Sequence, residues 1–149
     1  MRKTVLLSIT GISKTNGIPD DAIKLFTTGY LSGDGDSWKL RYSETSPDDV
    51  KDKNHVTLTM NNGTITMTNS QGKGADMIFV RGSRYQGVYR TPYGDLDLAV
   101  FPSEVSYRIG SDSGEIKLSY QLDFDGQYAS DHELHILYAD KSNGRTTAS

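Results

Sequence analysis

Glu115-Ile116-Lys117-Leu118-Ser119-Tyr120-Gln121-Leu122-Asp123-Phe124 alternates polar and apolar residues without a break. Ile116, Leu118, Tyr120, Leu122 and Phe124 fall on one side, and Lys117, Gln121 and Asp123 on the other. Successive side chains of a strand point to opposite faces, so the run is a strand with one buried and one wetted face. Working outward, the same pattern recurs. Val56-Thr57-Leu58-Thr59-Met60 and Thr64-Ile65-Thr66-Met67-Thr68 alternate across Asn61-Asn62-Gly63, a hairpin signature. Val5, Leu7 and Ile9 alternate near the start, and Trp38, Leu40, Tyr42 and Glu44 share one face of another strand. A strand at 128–138 follows the quoted run across Asp125-Gly126-Gln127.

Further strands are expected over 22–31, 76–82, 86–91, 95–101 and 104–109, with Pro102 forcing a bend or bulge between the last two. Residues 14–20 and 70–74 read as loops, and 91–94 (Thr-Pro-Tyr-Gly) as a tight turn. Residues 46–54 read as a polar connection with a short helical turn, Ser46 at its N-cap and Pro47 at its first position. Residues 140–149 are polar and lack periodicity, which predicts a frayed tail. The chain of 149 residues suits one domain over 1–149.

About ten sequential strands with short connections predict an all-β fold, a single antiparallel meander. Closing such a sheet removes exposed edges, so a β-barrel is expected over a sandwich. Hydrophobic content of 35% fits strands that bury only alternate residues, and 15 glycines fit many turns.

Four stretches carry a family resemblance: Val5-Leu6-Leu7-Ser8-Ile9-Thr10-Gly11, Leu40-Arg41-Tyr42-Ser43-Glu44-Thr45, Tyr89-Arg90-Thr91-Pro92-Tyr93-Gly94-Asp95-Leu96 and Tyr120-Gln121-Leu122-Asp123-Phe124-Asp125-Gly126. With them the chain resembles the YwiB-like family of small bacterial calycin-like β-barrel proteins of unknown function, over nearly its whole length. The resemblance implies a barrel of the kind that includes lipocalins and fatty-acid-binding proteins, and it supplies no catalytic residues. The lipocalin Gly-x-Trp motif is not matched, because Trp38 follows Asp36-Ser37 and Gly35 stands one place too early.

Composition removes several chemistries. There are no cysteines, which excludes a disulfide framework, a thiolate zinc site and a cysteine nucleophile. Formal net charge is −3 and no stretch is strongly basic, so no nucleic-acid partner is expected. No segment approaches the roughly 20 apolar residues needed to cross a bilayer as a helix, and Val5, Leu7 and Ile9 read as a strand rather than a signal peptide. No membrane partner is expected, and the location read from these features is cytoplasmic. No P-loop, dinucleotide fingerprint or nucleophile elbow is present, and no cofactor is implied.

Most charged clusters read as solvated surface. Asp34-Gly35-Asp36 is a turn rather than a calcium loop, and Asp95 with Asp97, like Asp123 with Asp125, oppose the apolar parity of their strands. His55 and His135 oppose it too, whereas His132 shares it. The inward set therefore gives the candidate ligand-binding residues: Tyr42, Tyr107 and Tyr120 as aromatic lining, with Glu44, Arg81 and His132 as the polar groups at a rim. A charge inside a barrel is costly unless paired or given a charged ligand, which is why Glu44 and Arg81 stand out. The expected function is noncatalytic binding of a small amphiphilic, anionic-headed molecule in the barrel. Two alternatives are an interaction module whose interior is filled by side chains, and an enzyme at the barrel mouth using Glu44 or His132 for proton transfer.

Overall fold

A computed structural model describes residues 2–46, 49–69 and 76–141, with the side chains of Asp21 and of residues 44–46 and 49–54 excepted. Ten strands follow one another: β1 (Arg2–Thr15), β2 (Ile18–Asp34), β3 (Ser37–Ser46), β4 (Asp49–Asn61), β5 (Thr64–Asn69), β6 (Met77–Phe79), β7 (Tyr85–Thr91), β8 (Gly94–Ile109), β9 (Ser113–Phe124) and β10 (Gln127–Asp140). They form one antiparallel sheet in the order β6-β5-β4-β3-β2-β1-β10-β9-β8-β7. The order is a meander bent round until first and last strands pair, with Val5 opposite Asp140 and Lys14 opposite Asp131. The expected all-β meander is therefore present as a nearly closed barrel. Its seam lies in mid-chain, between β6 and β7, where the described residues hold a single bridge, Val80 to Ser83.

Side-chain contact closes what the ladder leaves open. The Phe79 ring of β6 meets the Tyr120 ring of β9 with centroids 4.8 Å apart. Beside it the Gly82 N–H donates to the Pro102 carbonyl at 3.3 Å. Both seam strands are short, β6 with three residues and β7 with seven, which limits the edge left free for another chain.

The turns follow their residue chemistry. Asn16-Gly17, Asn62-Gly63 and Asp125-Gly126 each place two consecutive residues at positive φ, the geometry of two-residue hairpins that match strand twist. This extends β1 and β2 through residues 14–20, which the sequence assigned to a loop; Asn16-Gly17 alone turns the chain. Pro92 and Tyr93 form the expected turn, with the Thr91 hydroxyl donating to the Gly94 carbonyl at 2.6 Å. Tyr93 is 99% exposed and covers nothing.

Three boundaries differ from the sequence reading. Residues 51–54 belong to β4, and Ser46 stands opposite Asp49, so ladder pairing takes the place of a polar connection. Pro47 and Asp48, residues 70–74 and residues 142–149, assigned respectively to a helical turn, a loop and a tail, lie outside the described residues, whereas Asp140, assigned to the tail, ends β10 opposite Val5. The strands expected over 95–101 and 104–109 are one strand, β8, with a register shift between Pro102 and Glu104. Proline cannot donate to the ladder, so the extra residue sits there, and the inward parity passes from Leu98 and Val100 to Val105 and Tyr107.

Inward parity assembles the core. Val56, Leu58, Ile65, Ile116, Leu118 and Ile136 are buried as their patterns require, together with Val5, Leu7, Leu31, Leu40 and Phe79. Met67, Leu122 and Leu134 pack against this cluster while keeping some solvent exposure. Replacing Leu118 by Ala should cost about 2–5 kcal/mol, from lost transfer energy plus a residual cavity. Gly114 is a second test. A Cβ there would lie 2.2 Å from the Tyr138 ring and 2.5 Å from the Arg108 carbonyl oxygen. Backbone cannot yield to it, so Gly114→Ala should cost about 1–3 kcal/mol in urea denaturation. Gly11→Ala, where nothing stands within 4 Å, should stay within about 0.5 kcal/mol. Equal effects at the two glycines would refute the packing of Tyr138 on Gly114.

Candidate functional site

The interior is not uniform along the barrel axis. The waist is filled: Leu31, Leu40, Leu58, Met60, Ile65, Ile116, Leu118 and Ile136 are fully buried. Towards the end marked by the Asp125-Gly126 turn, packing loosens. On β9 the inward residues pass from buried Ile116 and Leu118 to partly exposed Tyr120, Leu122 and Phe124. On β10 they pass from buried Ile136 to partly exposed Leu134 and His132. Leu25 and Thr27 of β2 and Tyr89 of β7 behave alike. Apolar side chains that point inward yet keep solvent access mark a reachable mouth.

Tyr120 and His132 form its polar centre. They stand opposite each other in the β9–β10 ladder and stack, with ring centroids 5.3 Å apart and planes 16° from parallel. Ser130 Oγ lies 2.7 Å from His132 Nε2. Burial pushes the Tyr120 phenol up to about 12, so it stays protonated and able to donate. Burial also lowers the His132 pKa, against a smaller opposing effect of the Asp131 carboxylate. The imidazole is thus held neutral, with one donor and one acceptor nitrogen.

The Ser130–His132 pair has the spacing of a nucleophile and base. A working dyad also needs a group that orients the second imidazole nitrogen. Among the described residues nothing hydrogen-bonds that nitrogen, and the Asp131 carboxylate instead accepts from the Tyr128 hydroxyl at 2.7 Å. The arrangement offers hydrogen bonds and a stacking face to a bound molecule.

The remaining candidate residues are scattered. Tyr42 is 5% exposed and belongs to the packed waist. Tyr107 faces inward near the opposite end, where its hydroxyl accepts from the Gly63 N–H at 2.9 Å. Arg81 is a correction. The sequence carried the β6 alternation through residue 82, but β6 stops at Phe79, and Arg81 lies in the exposed turn that begins the seam. Parity has no meaning beyond the strand, and an unpaired guanidinium is cheaper in water than in the interior. Glu44 is placed on β3 opposite Asn54, and its side chain lies outside the described residues. The structure therefore joins Tyr120 with His132 and adds Leu25, Thr27, Tyr89, Leu122, Phe124 and Leu134. The apolar members were legible as inward-facing; nothing in the sequence separated mouth from waist.

Outside the barrel, the carboxylate pairs lie as read. Asp95 and Asp97 are exposed, and Asp125 Oδ1 accepts from the Asp97 N–H at 2.9 Å, tying the β9–β10 turn to β8. Glu115 Oε2 lies 2.7 Å from His135 Nε2, and that hydrogen bond lowers the Glu115 pKa. No helix among the described residues is long and apolar enough to cross a membrane.

Comparison with known proteins adds family and fold. The family model described as "Domain of unknown function (DUF1934)" matches residues 7–136. The crystal structure of the ywiB protein from Bacillus subtilis is similar with a TM-score of 0.77 and 19% identity, covering 93% of this chain and 92% of that one. No curated protein matches.

The His132 environment has a pH signature. Its folded-state pKa lies below the unfolded value of about 6.5, so the unfolded chain binds more protons as acid is added. The stabilisation is complete above that value and is lost as pH falls below it. The urea midpoint should drop between about pH 7.5 and pH 5.5, and His132→Gln should remove that part of the drop. An unchanged slope in the variant would show that folding does not hold this imidazole neutral.

Proposed function

We propose, from the premise that the chain belongs to the DUF1934 family of unknown function, that it binds a small amphiphilic molecule at the open end of its barrel. The observation that carries this reading is the partly exposed inward apolar set, Leu25, Leu122, Phe124, Leu134 and Tyr89, beside a filled waist. Water-accessible apolar surface inside a barrel gains by covering, at about 25 cal/mol per Å². The ring of Tyr120 gives a planar face, and Ser130 with neutral His132 supplies hydrogen bonds to a polar head. The Arg81 guanidinium stands in the seam turn, so the head need not be anionic. The reading is noncatalytic.

The filled waist favours a second reading, an interaction module that uses only its outer wall. A fluorescent apolar probe separates the two. On the first reading its emission rises on titration with the protein, Leu25→Trp fills the mouth and weakens binding at least tenfold, and Arg81→Ala leaves it unchanged. Native mass spectrometry of protein from its own host should then show a small molecule released on denaturation. A probe that fails to bind the wild-type barrel, or binds Leu25→Trp equally well, would decide for the second reading.

A further inference from the structure

The net charge of −3 is unevenly spread. From residue 85 to 140, which spans β7 to β10, ten carboxylates face three Lys or Arg. The other side is balanced as a whole: residues 2–69 hold eight Lys or Arg and eight Asp or Glu, but six of the cations fall within 2–14, 22–32 and 37–43, stretches that carry no carboxylate. Two of the six are paired with the acidic strands, Lys3 with Asp140 and Lys14 with Glu133. Arg2, Lys24, Lys39 and Arg41 form no ion pair among the described residues and are exposed.

Register places these cations on one surface. Outward-facing Thr4, Tyr30, Arg41, Thr57 and Thr68 stand in one row across five strands, and Arg2, Ser32, Lys39, Thr59 and Thr66 in the next. Residues facing each other across a ladder have Cβ atoms about 5 Å apart, so Tyr30 and Arg41 are immediate neighbours. Phe26 shares the outward face of β2, roughly 13 Å along the strand from Tyr30 at about 3.3 Å per residue. Lys24 Nζ lies 5.8 Å from the centre of the Phe26 ring. Phe26 is 70% exposed and Tyr30 63%. Two open depressions of about 300 and 450 Å³ adjoin, sharing Arg41. The first is lined by Arg2 and Tyr30 among others, the second by Lys39, His55, Thr57 and Thr59.

We propose that this outer wall of β1 to β5 is a platform for single-stranded nucleic acid. Four exposed cations, with Asp34 the carboxylate at the end of β2 beside them, suit a phosphate backbone, and hydroxyls in the same rows suit phosphate and sugar oxygens. Phe26 and Tyr30 offer flat faces on which bases stack, which a bare polyanion would not use. Stacking needs unpaired bases, so the substrate is single-stranded. The wall is sequence-tolerant, because every base has a face to stack. Sequence alone gave no such footprint, since the cations stand 15 or more positions apart in three groups, around 2, 24 and 39–41, and only the ladder gathers them. The site is on the outside of the barrel, so it stands or falls independently of the mouth.

The test is fluorescence anisotropy of labelled oligo(dT) and oligo(rU) with the intact protein at low salt. Both should bind, with a log–log salt slope of about −0.7 for each phosphate neutralised. Tyr30→Ala should weaken binding at least about fivefold at unchanged salt slope. Arg41→Ala should weaken it and flatten the slope by roughly one phosphate's share. Asp95→Asn, on the acidic wall and in no ion pair among the described residues, should change neither. The variants replace exposed side chains, and circular dichroism confirms that each is folded. Failure of either oligonucleotide to bind would overturn the proposal. So would duplex DNA or heparin binding as tightly with Tyr30→Ala silent, which would mark adsorption of any polyanion. Binding to phosphatidylserine vesicles without binding to oligonucleotide would assign the wall to a membrane surface instead.

Discussion

The antiparallel pairing of β1 with β10 is the constraint on which the rest of the molecule depends. Ten alternating strands share one interior only if the sheet returns on itself, and that ladder is where it returns. It gives β1 a neighbour on both sides, so Val5, Leu7 and Ile9 can be buried beneath both β2 and β10. It also fixes the residual gap. Because the ends of the sequence are joined, the opening falls between β6 and β7, where short strands and the Phe79–Tyr120 contact contain it.

Period two was the strongest signal in the sequence, and it translated directly wherever a strand was long and uninterrupted. The run from Ile116 to Phe124 buries its apolar side as read, and the hairpins at Asn62-Gly63 and Asp125-Gly126 turn as their residues require. Parity is informative only while pairing continues. At Arg81 the ladder had already ended, and an alternation carried two residues too far turned a surface cation into an interior one. At Pro102 the proline signalled a bend or bulge between two strands; the bulge is there, as one extra residue within a single long strand.

The candidate mouth shows a different limit. Tyr120 and His132 were both assigned inward, but their partnership comes from the cross-strand register of β9 and β10. Local alternation states which face a residue takes and leaves open its height in the barrel. Tyr42 and Tyr107, with the same parity, went to the waist and to the other end. The gathering of Arg2, Lys24, Lys39 and Arg41 on one wall is likewise a property of strand order. It emerges because β1 to β5 are contiguous in the sheet, as are β7 to β10.

Joining the first strand to the last also sets the order of events in folding. Every other ladder links strands adjacent in sequence and can form as a local hairpin, within microseconds for a short one. The β1–β10 ladder closes a loop of more than a hundred residues, since Val5 waits for Asp140. On a growing chain β1 therefore keeps one edge unpaired through the synthesis of β2 to β9, exposing apolar Val5, Leu7 and Ile9. Contacts so distant in sequence slow folding and prolong exposure to aggregation. The outer faces of β4 and β5 carry Thr57, Thr59, Thr64, Thr66 and Thr68, and the barrel is complete only when β10 pairs with β1.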